Sequence, residues 1–158
     1  MSKSSPVPRQ ALALAGFIVV TFCAPLFGIF GKPGAWYAGL NTPSWNPPPW
    51  IFGPVWSLLY LLMALAAWLV WKRGGWGRPL TFYFIQLALN AAWTPIFFGA
   101  HRLGWALMEI ILLWFAILLT AVRFFPVSKP AGWMLVPYVL WVAFAAFLNF
   151  TLWRMNPA

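Results

Sequence analysis

The side chains capable of acid, base or nucleophilic chemistry are few in this sequence of 158 residues. Glu109 is the only acidic residue, His101 the only histidine and Cys23 the only cysteine. Hydrolysis by two carboxylates and an Asp-assisted serine triad both need acidic residues that the chain lacks. A metal shell of His, Cys, Asp and Glu ligands is excluded by the same count. We therefore expect no metal site and no firm catalytic residue.

Amide and aromatic side chains instead recur at a helical spacing. Two amides and two large rings share one helix face at i, i+4, i+7 and i+11, namely Gln86, Asn90, Trp93 and Phe97. A second face with similar spacing joins rings to smaller residues, namely Tyr138, Trp141, Ala145, Leu148 and Leu152. Spacing alone favours amides that hydrogen-bond between membrane helices over a ligand-binding face, and both interpretations stay open at this point.

The elements that carry these residues must lie in a bilayer. The chain is 63% hydrophobic and 7% charged, and about 20 apolar helical residues cross a hydrocarbon core of about 30 Å. We predict an all-α integral membrane protein, a five-transmembrane-helix bundle that forms a single domain over residues 1–158. The predicted helices cover residues 11–30, 51–71, 80–99, 104–125 and 131–154. A β-barrel is disfavoured because its strands alternate over only about ten residues.

The first apolar run is predicted to be a membrane span rather than a cleaved signal peptide, because it exceeds the usual apolar region of about 7–15 residues.

Tight connectors predict that successive helices are antiparallel neighbours. Seven basic residues then share one side of the membrane, namely Lys3, Arg9, Lys72, Arg73, Arg78, Arg123 and Lys129, and three share the other, namely Lys32, Arg102 and Arg154. This bias predicts a cytoplasmic N-terminus in an inner membrane.

The net charge of +9 does not indicate nucleic-acid binding, because the basic residues lie at span ends and form no continuous stripe.

Glu109 could in principle serve as a proton-relay group. Its position close to Arg102 instead favours an ion pair at the membrane interface.

The connector of residues 31–50 is unusually long and stiff. It contains five prolines, three tryptophans and Tyr37. Aromatic residues of this kind anchor bundles at the membrane interface, whereas long ordered loops often cover binding sites. The proline density favours a lid. Four further prolines, Pro25, Pro54, Pro95 and Pro137, fall inside the predicted helices and are expected to bend them.

Several motifs along the chain resemble the TspO/MBR family, which comprises the translocator proteins, also called tryptophan-rich sensory proteins or peripheral-type benzodiazepine receptors. The resemblance extends from the first span to Arg154. It is carried by Trp36-Tyr37, PSWNPPPW at 43–50, PVW at 54–56, QLALNAAWTPIFFG at 86–99, GWAL at 104–107 and PYVLW at 137–141.

The resemblance implies a five-helix bundle, commonly a homodimer, whose cavity is covered by the first loop. It implies binding of porphyrins, protoporphyrin IX or haem among them, as ligands rather than resident cofactors, and of isoquinoline carboxamide or benzodiazepine ligands. The residues carried over as ligand-binding are Tyr37, Trp56, Asn90, Trp93, Phe97, Trp105, Trp141, Ala145 and Leu148. This implication reverses the preference for purely structural amides.

Three functions remain open under the resemblance. They are tetrapyrrole transport or regulation, light-dependent porphyrin degradation involving Trp56 and Trp141, and a ligand-responsive sensory scaffold. The sterol pattern at the end of the last span departs from the family, since Phe150 and Thr151 stand where a tyrosine is needed. Strong sterol binding is therefore not expected. The expected location is a bacterial-type cell membrane, inner or outer.

Overall fold

The computed structural model describes residues 7–157, apart from the side chain of Phe30. Lys3 lies outside the described residues. The helices in chain order are α1 (Val7–Cys23), which continues as a 3-10 helix (Ala24–Phe30), α2 (Ala35–Ala38), α3 (Pro49–Gly74), α4 (Arg78–Thr94), which continues as a π-helical turn (Pro95–Gly99), α5 (Leu103–Phe124) and α6 (Lys129–Met155).

The prediction of an all-α membrane protein is confirmed. Within the described residues, five helical stretches are long and apolar enough to cross a membrane. They are Val7–Ile29, Pro49–Gly74, Arg78–Gly99, Leu103–Phe124 and Lys129–Met155. The 31–50 connector contains the additional short helix α2, and α3 begins at Pro49, inside the segment predicted as loop.

Two of the four intrahelical prolines mark a change of helix type. Pro25 lies in the first turn of the 3-10 helix, and Pro95 is the first residue of the π-helical turn. Proline supplies no backbone N–H, so the i to i−4 hydrogen-bond ladder is interrupted where it stands. Pro54 and Pro137 remain inside α3 and α6.

The spans form a ring in the order α1, α3, α6, α5 and α4, which closes where the 3-10 helix packs on α4. The expectation that successive helices are neighbours therefore fails for α3 and α4, which touch only slightly. The reason is that the 3-10 helix that continues α1 packs on α4, and α1 itself adds side-chain contacts to the same helix. Phe17 contacts the Tyr83 ring at a centroid distance of 6.5 Å, and Thr21 hydrogen-bonds to the Tyr83 hydroxyl.

One end of the bundle gathers the 31–48 connector, the end of the π-helical turn, the start of α5 and the end of α6. A Cβ atom added to Gly104 would lie 3.2 Å from the Trp153 ring nitrogen. The side chain of Asn156 hydrogen-bonds to the backbone of Asn41. Arg102 and Arg154 thus lie at the same end as Lys32, as predicted for these three basic residues. Which membrane side this end faces stays a prediction.

Candidate ligand-binding site

A cavity of about 550 Å³ lies between the 3-10 helix, α3, the α4 segment with its π-helical turn, α5, α6 and the connector. Its walls are mainly apolar and aromatic side chains, with a few polar groups among them. Small-molecule sites in proteins typically have volumes of about 300–1,000 Å³ and this kind of lining. The cavity has the size and composition of a site for a hydrophobic ligand.

Eight of the nine residues predicted to bind ligand line this one cavity. They are Tyr37, Trp56, Asn90, Trp93, Phe97, Trp141, Ala145 and Leu148. The Trp93 and Phe97 rings are tilted neighbours with centroids 4.7 Å apart. The Trp56 ring stacks on Tyr60 at 5.5 Å. The structure therefore brings together side chains that are more than a hundred positions apart in sequence.

The connector forms one wall of the cavity. Tyr37 and Asn46 belong to the lining, and the Tyr37 ring meets the Phe98 ring edge-on at 5.5 Å. Outside the cavity the connector is held by two ring stacks. Trp36 lies 4.2 Å from the His101 ring, and Trp45 lies 5.4 Å from the Phe147 ring, each pair being nearly parallel.

Gly31 fixes the start of the connector through a backbone contact. A Cβ atom at this position would lie 2.6 Å from the Gly99 nitrogen and 3.0 Å from the Thr94 carbonyl oxygen. Real Cβ atoms do not approach backbone that closely, so only glycine permits this packing. The close approach sets the connector directly against the π-helical turn at the cavity edge.

Asn90 has two roles at the base of the cavity. Its Oδ1 accepts a hydrogen bond of 2.6 Å from the Tyr60 hydroxyl, and its Nδ2 donates one of 2.9 Å to the Tyr138 hydroxyl. Tyr138 in turn donates to Gln86 Oε1 at 3.0 Å. Gln86 and Tyr138 are buried but do not line the cavity. The amide face of α4 therefore joins α3, α4 and α6 and also presents Asn90 to the cavity.

A second amide, Asn149, holds the outer part of the same wall. It accepts a hydrogen bond of 3.3 Å from Trp93 Nε1 and donates one of 3.0 Å to the Leu103 carbonyl oxygen. The orientation of the Trp93 ring is thereby tied to α6 and to the start of α5. A cavity with such fixed walls is largely formed before a ligand binds.

Two buried polar atoms of the cavity lining have no hydrogen-bond partner among residues 7–157. They are Trp141 Nε1 and Asn46 Oδ1. Leaving a buried donor or acceptor unpaired costs about 1–3 kcal/mol. A ligand that offers an acceptor to Trp141 would remove part of that cost.

Comparison with known proteins agrees with this architecture. The profile of the TspO/MBR family matches residues 13–154. The chain belongs to the TspO/MBR family. It is 46% identical to the human translocator protein over an alignment of 145 residues, with 84% of this chain and 86% of the human one covered. It is 44% identical to protein CrtK of Rhodobacter capsulatus over 147 residues, covering 90% and 92% of the two chains. It is also 44% identical to the tryptophan-rich sensory protein of Cereibacter sphaeroides over 129 residues, covering 82% of each.

The one site residue that this TspO/MBR chain does not bring to the cavity is Trp105. Its side chain is 65% exposed on the outside of the bundle. Ile110 and Leu113 of the same helix line the cavity instead. Ile110 is five residues from Trp105, which corresponds to about 140° around an α-helix with 3.6 residues per turn. The structure therefore places Trp105 apart from the other eight predicted residues.

Glu109 lies on the same outer face of α5 as Trp105. The two residues and Arg102 line a shallow pocket beside the π-helical turn. Neither carboxyl oxygen of Glu109 has a hydrogen-bond partner within the part of the chain that the structure describes. The predicted ion pair with Arg102 is therefore not formed, because Arg102 precedes Glu109 by seven positions, which is a rise of about 10 Å along an α-helix.

Sequence reasoning missed Tyr60, Asn149, Lys32 and Asn46 of the cavity lining. Tyr60 follows Trp56 by four residues and Asn149 follows Ala145 by four residues, so helical spacing from predicted site residues would have found both. Lys32 and Asn46 lie in the irregular part of the connector, where no periodicity applies.

Proposed function

We propose that this TspO/MBR protein binds tetrapyrroles, such as protoporphyrin IX or haem, in the cavity and works in their transport or regulation in a membrane. The observation that carries the proposal is an aromatic cavity of about 550 Å³ that holds an unpaired indole N–H at Trp141. Aromatic rings pack well against a planar macrocycle. The names of two relatives, translocator protein and tryptophan-rich sensory protein, fit a role in transport or regulation.

Haem would be held through its ring and its acid groups. The lining residues that the structure describes contain no histidine and no cysteine side chain. The two usual strong axial ligands of haem iron are thus lacking in the described lining. The proposal accordingly predicts that iron-free protoporphyrin IX binds about as well as haem.

The same cavity would accept other flat hydrophobic molecules, including isoquinoline carboxamide and benzodiazepine ligands. Apolar contact in such a site depends on area and shape more than on a particular functional group. These compounds should compete with protoporphyrin IX rather than bind beside it.

A second candidate function is light-dependent degradation of bound porphyrin. It is favoured by one observation, that Trp56 and Trp141 both line the cavity. Phe52 meets the Trp141 ring at 5.9 Å, and Tyr138 meets the Trp56 ring at 6.1 Å. Two indoles against one macrocycle could exchange electrons with its excited state.

The test mixes purified protein in lipid nanodiscs with protoporphyrin IX, in the dark and under illumination. Saturable one-to-one binding in the dark with unchanged porphyrin absorption under light supports transport or regulation. A new product formed over many turnovers supports the degradation candidate. Absence of saturable binding in both conditions contradicts the proposal.

Matched tryptophan variants test whether porphyrin binding and any conversion under light take place in the cavity. Trp56→Phe and Trp141→Phe should each weaken binding severalfold, and conversion under light, if it occurs, should fall steeply in both. Trp133→Phe is the control, because Trp133 is 65% exposed on the outside of α6. Equal effects of all three substitutions would place the porphyrin on the protein surface.

A further inference from the structure

Lys32 is the one charged side chain among the described residues that line the cavity. It directly follows Gly31, whose backbone packs against the backbone of Gly99. The lysine is exposed at the cavity edge and not buried in its wall. Its position is thus set by a rigid neighbour, and its ammonium group can stay in contact with water.

No acidic side chain of the described residues pairs with Lys32. Glu109 is the only acidic residue, and its carboxyl oxygens have no hydrogen-bond partner in the described part of the chain. Glu109 also lines the separate outer pocket rather than the cavity. The positive charge at the cavity edge therefore remains uncompensated by any acidic side chain of the protein itself.

Lys32 and Trp141, whose indole N–H has no hydrogen-bond partner among the described residues, both belong to the lining of one cavity. The lysine ammonium and the indole N–H are both donors, so each can bond to an acceptor atom of the ligand. A carboxylate is the ligand group best suited to bind a lysine at the edge of an apolar cavity. Charge-assisted hydrogen bonds of this kind are about twice as strong as neutral ones.

We propose that Lys32 is a specificity-determining residue that binds an acidic group of the ligand and makes the site prefer flat acids over their neutral analogues. The inference rests on the proposed function and goes beyond it by naming the contact. The apolar ring enters the cavity, and the acid groups remain at its edge beside Lys32, where they stay partly hydrated.

The experiment compares protoporphyrin IX with its neutral dimethyl ester in nanodiscs of phosphatidylcholine. The ring is the same in both compounds, so the difference isolates the acid groups. Wild-type protein should bind the acid about tenfold more tightly than the ester. Lys32→Gln should lose most of that ratio by weakening binding of the acid alone. Lys32→Arg should retain it.

The control is Lys129→Gln, which removes the same charge from the start of α6, outside the cavity lining. It separates a local contact from general attraction of an anion to a basic protein. The ratio of acid to ester affinity should be unchanged in this variant. Raising the salt concentration from about 50 mM to about 500 mM should reduce the ratio in wild type, because screening weakens an exposed ion pair.

The possible outcomes separate the two claims. If wild type binds both compounds and Lys32→Gln weakens both equally, or neither, the role of Lys32 is wrong while the cavity function stands. If Lys129→Gln lowers the ratio as much as Lys32→Gln does, the preference is a general charge effect and the contact is wrong. If wild type binds neither compound, both proposals fail.

Discussion

The side-chain amide of Asn156, just after α6, makes a two-way hydrogen bond with the backbone of Asn41 in the connector. Asn156 Oδ1 accepts from the Asn41 N–H at 2.8 Å, and Asn156 Nδ2 donates to the Asn41 carbonyl oxygen at 2.9 Å. The same Nδ2 also donates to the Leu152 carbonyl oxygen at 2.9 Å. The connector that forms one wall of the cavity is therefore fastened to the end of the last membrane helix.

Removing this amide should loosen the connector. Asn156→Ala deletes three hydrogen bonds, each worth about 0.5–1.5 kcal/mol. We expect hydrogen exchange of connector amides between residues 35 and 48 to become about tenfold faster. The control is Asn41→Ala, because Asn41 joins the contact through its backbone alone. Equal exchange rates in wild type and Asn156→Ala would contradict a fastening role.

Gly31→Ala should displace the connector from the π-helical turn. The new Cβ would lie 2.6 Å from the Gly99 nitrogen, so backbone must move. We expect a loss of about 1–3 kcal/mol in stability and a severalfold weaker porphyrin affinity, measured by thermal unfolding and by titration. Gly34→Ala is the matched control, because its Cβ would meet only the Lys32 carbonyl oxygen at 3.8 Å. Unaltered stability in Gly31→Ala would show that the close approach is easily relieved.

Asn90→Leu should destabilise the bundle as well as alter the cavity. The change removes the hydrogen bonds that Asn90 makes with Tyr60 and Tyr138. Hydrogen bonds between membrane helices are worth up to about 1.7 kcal/mol each, so we expect a loss of about 1–3 kcal/mol in steric-trap or denaturant unfolding. Thr151→Ala serves as control, because the Thr151 hydroxyl donates only within its own helix, to the Phe147 carbonyl oxygen. A stable Asn90→Leu protein that no longer binds porphyrin would assign Asn90 to ligand contact alone.

Trp105→Ala tests the corrected face of α5. Since the Trp105 ring lies outside the bundle, its removal should leave protoporphyrin IX affinity within about twofold of wild type. Trp93→Ala, in the cavity wall, should lower the affinity about tenfold or more, because it removes an aromatic ring that lines the cavity and can pack against the macrocycle. Isothermal titration in nanodiscs measures both. A large loss in Trp105→Ala alone would restore the original assignment.

The spans were predictable because a continuous apolar run of about 20 residues forms few structures other than a membrane-spanning helix. The cavity faces of α4 and α6 were predictable because amides and rings recur there at helical spacing, at Asn90, Trp93 and Trp141. The inward face of α5 was not, since that helix is apolar on nearly every side and carries no amide side chain to mark a cavity face. The sequence also did not predict that α3 and α4 touch only slightly. This arrangement depends on the packing of Phe17 and Thr21 against Tyr83.

The central claim is that porphyrin binds inside the bundle, and filling the cavity tests it most directly. Ala145 is a half-buried residue of the cavity lining, whereas Ala143, two positions earlier on α6, is exposed on the outside. Ala145→Phe and Ala143→Phe add the same volume to the same helix. Equilibrium titration with protoporphyrin IX should show at least tenfold weaker binding for Ala145→Phe and unchanged binding for Ala143→Phe, with thermal unfolding confirming that both are folded. Wild-type affinity in a folded Ala145→Phe protein would contradict the account.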